Sequence, residues 1–239
     1  MIEPMKTTAG QLPVGKIPNG EITLSTMHPA DLRNLILTGE SGWLEFKKRV
    51  PGAEKMAREI AAFANTNGGT ILVGVDDNGV VRGIRSYFEE EFVLFQAAHE
   101  MCVPEVPIGI EMIHTNAGDV IVVKVPEMPS KPVYVKGKTK RRVYVRRGDE
   151  SVLASDELTE VLKQKHAKAG VTFEYGENEQ MLFRYLNEYG EITVQKYADL
   201  INQTTYRAGK ILVTLVSAGI LTLFAKGPTD YYAFSRDRK

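Results

Sequence analysis

Cysteine is nearly absent. Cys102 is the only one in 239 residues, which excludes an intramolecular disulfide and a cysteine-rich zinc site and fits a reducing cytoplasm. Net charge is absent too, because 30 Lys and Arg balance 30 Asp and Glu. Attraction to a polyanion must therefore come from local patches. No apolar run nears the about 18 residues of a membrane span. The first 27 residues lack the apolar core of a signal peptide and read as a flexible N-terminal arm. There is no long repeat and no low-complexity tract. The four histidines (His28, His99, His114, His166) are scattered without ligand spacing, so structural roles are expected for them.

What is present is an ordinary folded composition, 43% hydrophobic and a quarter charged, at a length that suits two domains. Pro29 opens a helix that Gly39 ends. Trp43 to Lys48 reads as a strand, Ala53 to Asn65 as a helix with Met56, Ile60 and Phe63 on one face, and Thr70 to Val75 as a buried strand. Asp77-Asn-Gly79 predicts a hairpin turn, with Val80 to Ile84 returning. Glu89 to Met101 reads as a long helix. Strands follow over Ile108–His114, Asp119–Val125 and Arg142–Arg147, with a short one near Val133–Lys136. These make an α+β domain with a mixed or antiparallel sheet over residues 28–164. A polar, glycine-bearing linker is expected over 165–176. Residues 177–239 then predict three helices (Asn178–Tyr189, Val194–Ile201, Thr204–Ala218) and a hairpin around Lys226-Gly-Pro-Thr-Asp230. That order is the winged variant of helix-turn-helix.

Three carboxylates attract attention. Cleavage of a phosphodiester by a divalent metal needs hard oxygen ligands. Glu40 and Glu45 are five residues apart. They would diverge by roughly 140° on one helix, but Gly39 and Gly42 argue for a turn into a strand, which could bring them together. Asp76 and Asp77 sit at the end of a buried strand. The competing reading is plain: Asp-Asp-Asn-Gly is good turn chemistry, and Glu45 could pair with Lys47 or Arg49. Asn65-Thr-Asn67-Gly-Gly69 could offer amides to a phosphate, although a glycine helix cap explains it better. Gly137-Lys-Thr139 is not a P-loop. Position 132 is proline and no helix follows, so an ATPase is not expected.

The segments Glu40-x-x-x-x-Glu45-Phe-Lys47, Phe63-Ala-Asn-Thr-x-Gly68-Gly69, Gly74-Val-Asp-Asp77 and Tyr144-Val-Arg-Arg-Gly148 together resemble the AlbA-like domain of the Schlafen superfamily, over about Asp31 to Asp156. In Schlafen-type ribonucleases the two glutamates of the first motif and an aspartate of the third form a catalytic, metal-holding triad. By position the resemblance implies Glu40, Glu45 and Asp77, with Asp76 as the alternative, and Mg²⁺ or Mn²⁺ as the ion. Those nucleases grip RNA between two related lobes and carry a zinc site. A single copy here implies a dimer for a comparable groove, and the cysteines for the zinc are missing. Bacterial proteins similar to this one are described as DNA-binding regulators.

Lys131 to Arg147 holds eight Lys and Arg and no acid. Tyr134 and Tyr144 are interleaved. Clustered cations neutralise phosphates and aromatic rings stack on bases, so Lys138, Lys140, Arg141, Arg142, Tyr144, Arg146 and Arg147 are candidate nucleic-acid contacts. The alternative is a solvated hairpin whose lysines protect a sheet edge. The third helix of the second domain begins Thr204-Thr205-Tyr206-Arg207 and reaches Lys210, residues able to touch bases and phosphates. From Gly170 onward eight basic residues meet eight acidic ones, so protein contact is the competing role. The favoured reading is a cytoplasmic, homodimeric DNA-binding transcriptional regulator that needs no cofactor to bind DNA, with RNA as the other possible partner and no membrane. The alternatives are a Mg²⁺- or Mn²⁺-dependent nuclease of RNA or single-stranded DNA, and a non-catalytic protein-interaction module.

Overall fold

Helix α1 (Pro29–Leu37) starts at a proline, and the His28 side chain accepts the Ala30 N–H. The computed structural model describes residues 23–165 and 175–235. Chain contacts divide these into two units. The first runs to Met128 and includes Val133–Leu153; the second holds Pro129–Pro132 and everything from Ala154.

In the first unit, β1 (Leu44–Lys47), α2 (Ala53–Asn65) and β2 (Gly69–Val73) form a strand–helix–strand crossover, with β1 and β2 parallel. Helix α3 (Tyr87–Phe95), capped by Ser86, runs on as a π-helical turn over Gln96–Met101. Then come β3 (Cys102–Val103), β4 (Gly109–Thr115), β5 (Gly118–Val125), β6 (Tyr134–Val135), β7 (Arg142–Arg147) and β8 (Glu150–Leu153). They build two four-stranded sheets, ordered β1-β2-β5-β4 and β3-β6-β7-β8. All pairings except β1 with β2 are antiparallel.

Strand alternation decides the layers. Ile71, Val73, Ile121, Val123 and Val125 face α2, where they meet Met56, Ile60 and Phe63, and Val135 and Tyr144 of the second sheet close the same core. Leu72, Val120 and Val122 point the other way, joining Leu44 and Phe46 beneath Leu32 and Ile36 of α1. A sheet covered on both faces explains why β2 and β5 read as unbroken apolar runs. Helix α2, apolar around much of its girth, lies between the two sheets.

Several expectations are corrected. The return strand over Val80–Ile84 shrinks to one bridge, Val75 with Val81. There the Gly74 carbonyl takes both the Arg82 and Gly83 N–H groups, and Gly74 and Gly83 have positive φ, which ends the ladder. Strand β8 was not expected, having only two apolar residues. Residues 1–22 of the N-terminal arm lie outside the described residues, but its end does not. Thr23 and Ser25 bond to Met112, Leu24 bridges to it, and part of the outer edge of β4 is thereby covered.

The second unit contains α4 (Asp156–Lys165), α5 (Glu177–Tyr189), α6 (Val194–Leu200), α7 (Thr205–Ser217), β9 (Leu221–Lys226) and β10 (Thr229–Phe234). Leu182, Leu186, Tyr197, Leu212, Leu215 and Tyr232 form its core, to which α4 adds Val161. Helix α4 lies against α7, so the division of the chain falls after Leu153, ahead of the stretch read as a linker. Residues 166–174 of that stretch lie outside the described residues. The hairpin turns over Gly227-Pro228, tighter than expected, and Ile192 bridges to Tyr232. Among the described residues, no helix is long and apolar enough to cross a membrane.

Asn65 joins the layers. Its Nδ2 donates to the Val133 and Tyr144 carbonyls at 2.9 Å each, and its Oδ1 accepts the Val133 N–H at 2.6 Å. Asn65→Ala orphans three buried backbone groups. A loss of about 3 kcal/mol is expected, read from the shift of the urea unfolding midpoint.

Candidate nucleic-acid interface

Glu40 lies in the turn before β1, and its Oε1 accepts the Phe46 N–H at 2.9 Å. Burial pushes its carboxyl above the ordinary range. The Phe46 N–H and Lys47 oppose this, while Glu45 and Asp77 reinforce it. The three predicted carboxylates therefore share one electrostatic neighbourhood, but they do not form a metal cradle. Glu45 is buried. Its Oε1 is bound by the Lys47 ammonium, and its Oε2 takes Arg146 Nη1 at 2.9 Å. Asp77 is exposed on the turn after β2. Asp76, the alternative, accepts the Asn78 and Val80 N–H groups and pairs with Arg82 Nε at 2.9 Å, as turn chemistry requires. Among the described residues, no three His, Cys, Asp or Glu side chains are grouped to hold a metal ion. As placed, Glu40, Glu45 and Asp77 do not fit a divalent cation.

The positive charge beside Glu45 belongs to the protein. Besides Glu45, Arg146 Nη1 reaches Glu59 at 3.3 Å and the Ser151 hydroxyl at 3.1 Å. Nη2 donates to the Ser41 and Asp149 carbonyls at 2.7 and 2.8 Å. The guanidinium lies 4.5 Å from the Phe63 ring centroid, and its side chain is 1% exposed. Sequence reasoning gave Arg146 to nucleic acid, but burial removes it from any such contact. Tyr144 is only 7% exposed, so its ring is not a stacking platform either. Both sit on β7 where it faces α2. Glu59 and Ser151, which complete the arrangement, carried no sequence signal, and Thr66 was read only as part of the glycine motif.

The glycine motif is structural as well. The Gly68 N–H closes on the Phe63 carbonyl, and a Cβ on Gly69 would come within 2.4 Å of the Phe63 ring. Close packing, rather than a phosphate, requires these glycines.

The exposed cations lie elsewhere. Lys136, Lys138, Lys140, Arg141 and Arg142 stand out from the turn between β6 and β7, while Arg147 is half-buried. A recess of about 190 Å³ opens between this turn and α2. There Arg58 of α2, which no sequence motif singled out, joins the patch. Gly137-Lys-Thr139 lies in this turn, between strands.

On α7, Thr204, Thr205, Tyr206, Arg207 and Lys210 are all exposed. Thr204 caps the helix by accepting the Arg207 N–H. Arg207 donates to Gln203 at 3.0 Å, and the Lys210 ammonium sits 4.9 Å from the Tyr206 ring centroid.

These buried motifs and the exposed turn fall inside one recognisable stretch. Residues 40–155 match the family Schlafen, AlbA_2. The match points to a nucleic-acid-related role for the AlbA_2 stretch. No curated protein matches the chain. Among solved structures, the DIP2311 protein of Corynebacterium diphtheriae is 18% identical with a TM-score of 0.44. The comparison covers 69% of this chain and 34% of that one, so this chain spans about a third of that protein's length. The N-terminal domain of a RecG-related ATP-dependent DNA helicase protein from Nitrosomonas europaea is 22% identical with a TM-score of 0.38, covering 63% of this chain and 99% of that one. At such scores neither likeness says more about the AlbA_2 stretch.

Two outcomes check the electrostatics. Arg146→Met leaves Glu45 and Glu59 together without their shared cation and is expected to cost about 3–5 kcal/mol in urea unfolding. Glu40→Gln keeps the acceptor for Phe46 but cannot ionise. Burial holds the folded carboxyl above the ordinary glutamate range, so ionised Glu40 weakens the fold as pH rises through that range. The variant's melting temperature should exceed the native one at pH 7 and converge with it near pH 4. A lower value at pH 7 would show the carboxylate to be stabilising.

Proposed function

We propose that the chain is a nucleic-acid-binding protein, and more specifically a dimeric DNA-binding transcriptional regulator. The observation that carries this reading is the exposed cation cluster of the β6–β7 turn, set in an AlbA_2 stretch of a chain with no net charge. Such a cluster attracts phosphate by releasing counterions. In the second unit, the order α5–α6–α7–hairpin and the exposed first turns of α7 support a winged helix that reads the major groove through Thr204, Thr205, Tyr206, Arg207 and Lys210. Paired half-sites would account for a dimer. The engagement of both Glu45 oxygens by Lys47 and Arg146 supports binding over Mg²⁺- or Mn²⁺-dependent cleavage.

Gel-shift and anisotropy titrations of the full chain against salt test this. The logarithm of affinity should fall linearly with the logarithm of salt concentration. Combining Lys138→Ala, Lys140→Ala and Arg142→Ala should flatten the slope by about 3, one unit per lost phosphate contact. RNA and single-stranded DNA should stay intact in Mg²⁺ or Mn²⁺. Cleavage abolished by Glu45→Ala would install the nuclease instead, and absence of any shift at low salt would leave a protein-interaction module.

A further inference from the structure

We infer that the recess between α2 and the β6–β7 turn is a backbone-phosphate pocket for a single flexible nucleic-acid strand, with Arg58 as its anchor. This rests on the nucleic-acid-binding reading above and adds the form of nucleic acid that the first unit takes. The walls carry five cations, Arg58, Lys136, Lys138, Lys140 and Arg142, against one acid, Glu54.

Two of the walls are held in place. Arg58 Nη2 donates to Glu54 Oε1 at 2.6 Å, and its guanidinium lies 5.7 Å from the Tyr144 ring centroid. The bond to Glu54 occupies one nitrogen of a group with five donors. The planar fork keeps donors free to meet a phosphate bidentately. Across from it, the base of the turn is pinned at Lys136. Its N–H donates to the Met101 carbonyl at 2.8 Å, and its ammonium donates to the Glu100 carbonyl. The turn closes tightly, because a Cβ on Gly137 would lie 2.6 Å from the Lys140 carbonyl oxygen. Lys138 and Lys140 therefore flank the mouth of the recess.

Size and floor select the ligand. The recess is small, about 190 Å³, and open to solvent, a shape that suits a phosphate group dipping in from a bent backbone. A duplex presents its phosphates on a stiff convex surface, whereas a single strand can bend one phosphate inward. The floor is Val135 and the buried Tyr144, which offers no open ring face for a base. The pocket therefore takes backbone without reading sequence, and DNA and RNA strands share the chemistry it recognises.

The test uses the full chain with labelled single-stranded DNA of about twelve nucleotides, the same sequence as RNA, and the DNA duplex. Arg58→Ala is expected to weaken both single strands about tenfold, as loss of charge-assisted bonds does, and the duplex less than twofold. Arg58→Lys should recover part of the loss, because it restores charge without the fork. An unchanged melting temperature certifies the fold of each variant. If RNA alone responds, the pocket stands and its source is RNA; if DNA alone responds, it stands with DNA as the source. Equal losses on strand and duplex, or no loss at all, overturn the pocket while the binding reading survives. No binding of any probe by the native chain removes both.

Discussion

A guanidinium cannot be deprotonated under biological conditions, so burying one obliges the fold to supply counter-charge and acceptors around it. Arg146 is that obligation. Glu45 and Glu59 provide charge, Ser41, Asp149 and Ser151 provide oxygen, and Phe63 provides a ring face. These groups come from β1, α2, the turn before β1, and β8 with its turn. One side chain thus fixes how the second sheet meets the helix beneath it and the edge strand of the first sheet. Desolvating such ions costs several kcal/mol each. The pair is better understood as fixing one arrangement than as adding stability.

Asn65 and Thr66 do the same work through neutral groups. Asn65 closes on Val133 and Tyr144, and the Thr66 hydroxyl accepts the Arg146 N–H at 2.9 Å. Charged and uncharged clamps therefore converge on β7. The frame so made is rigid where the strand begins to face α2, while the turn that precedes it carries its lysines into solvent. The groups that hold the fold are thus separate from the exposed lysines of the turn.

Much of this was legible in the chain. The 3.6-residue spacing of Met56, Ile60 and Phe63 announced α2, and the apolar run from Thr70 to Val75 announced β2 as a buried strand. Four motifs located the AlbA_2 stretch. What escaped had physical reasons. A charged residue in a strand reads as surface unless its counter-charges are known, and those of Arg146 lie 101 and 87 residues away. Strand β8 has too few apolar residues to alternate visibly. Helix α4 looked like the tail of the first domain because its partner, α7, comes some forty residues later. Lys47 was among the partners foreseen for Glu45, whereas Arg146, 101 residues away, was not.

The short pairing of Thr23, Leu24 and Ser25 with Met112 has a bearing on handling the protein. Strand β4 ends the first sheet, and an outer strand with open amides and carbonyls is a template for unwanted pairing between molecules. The preceding segment covers part of that border, and the Ser25 hydroxyl is anchored to Glu111 at 2.7 Å. These few residues act as a selvedge on the sheet, keeping it from fraying into its neighbours in a concentrated solution.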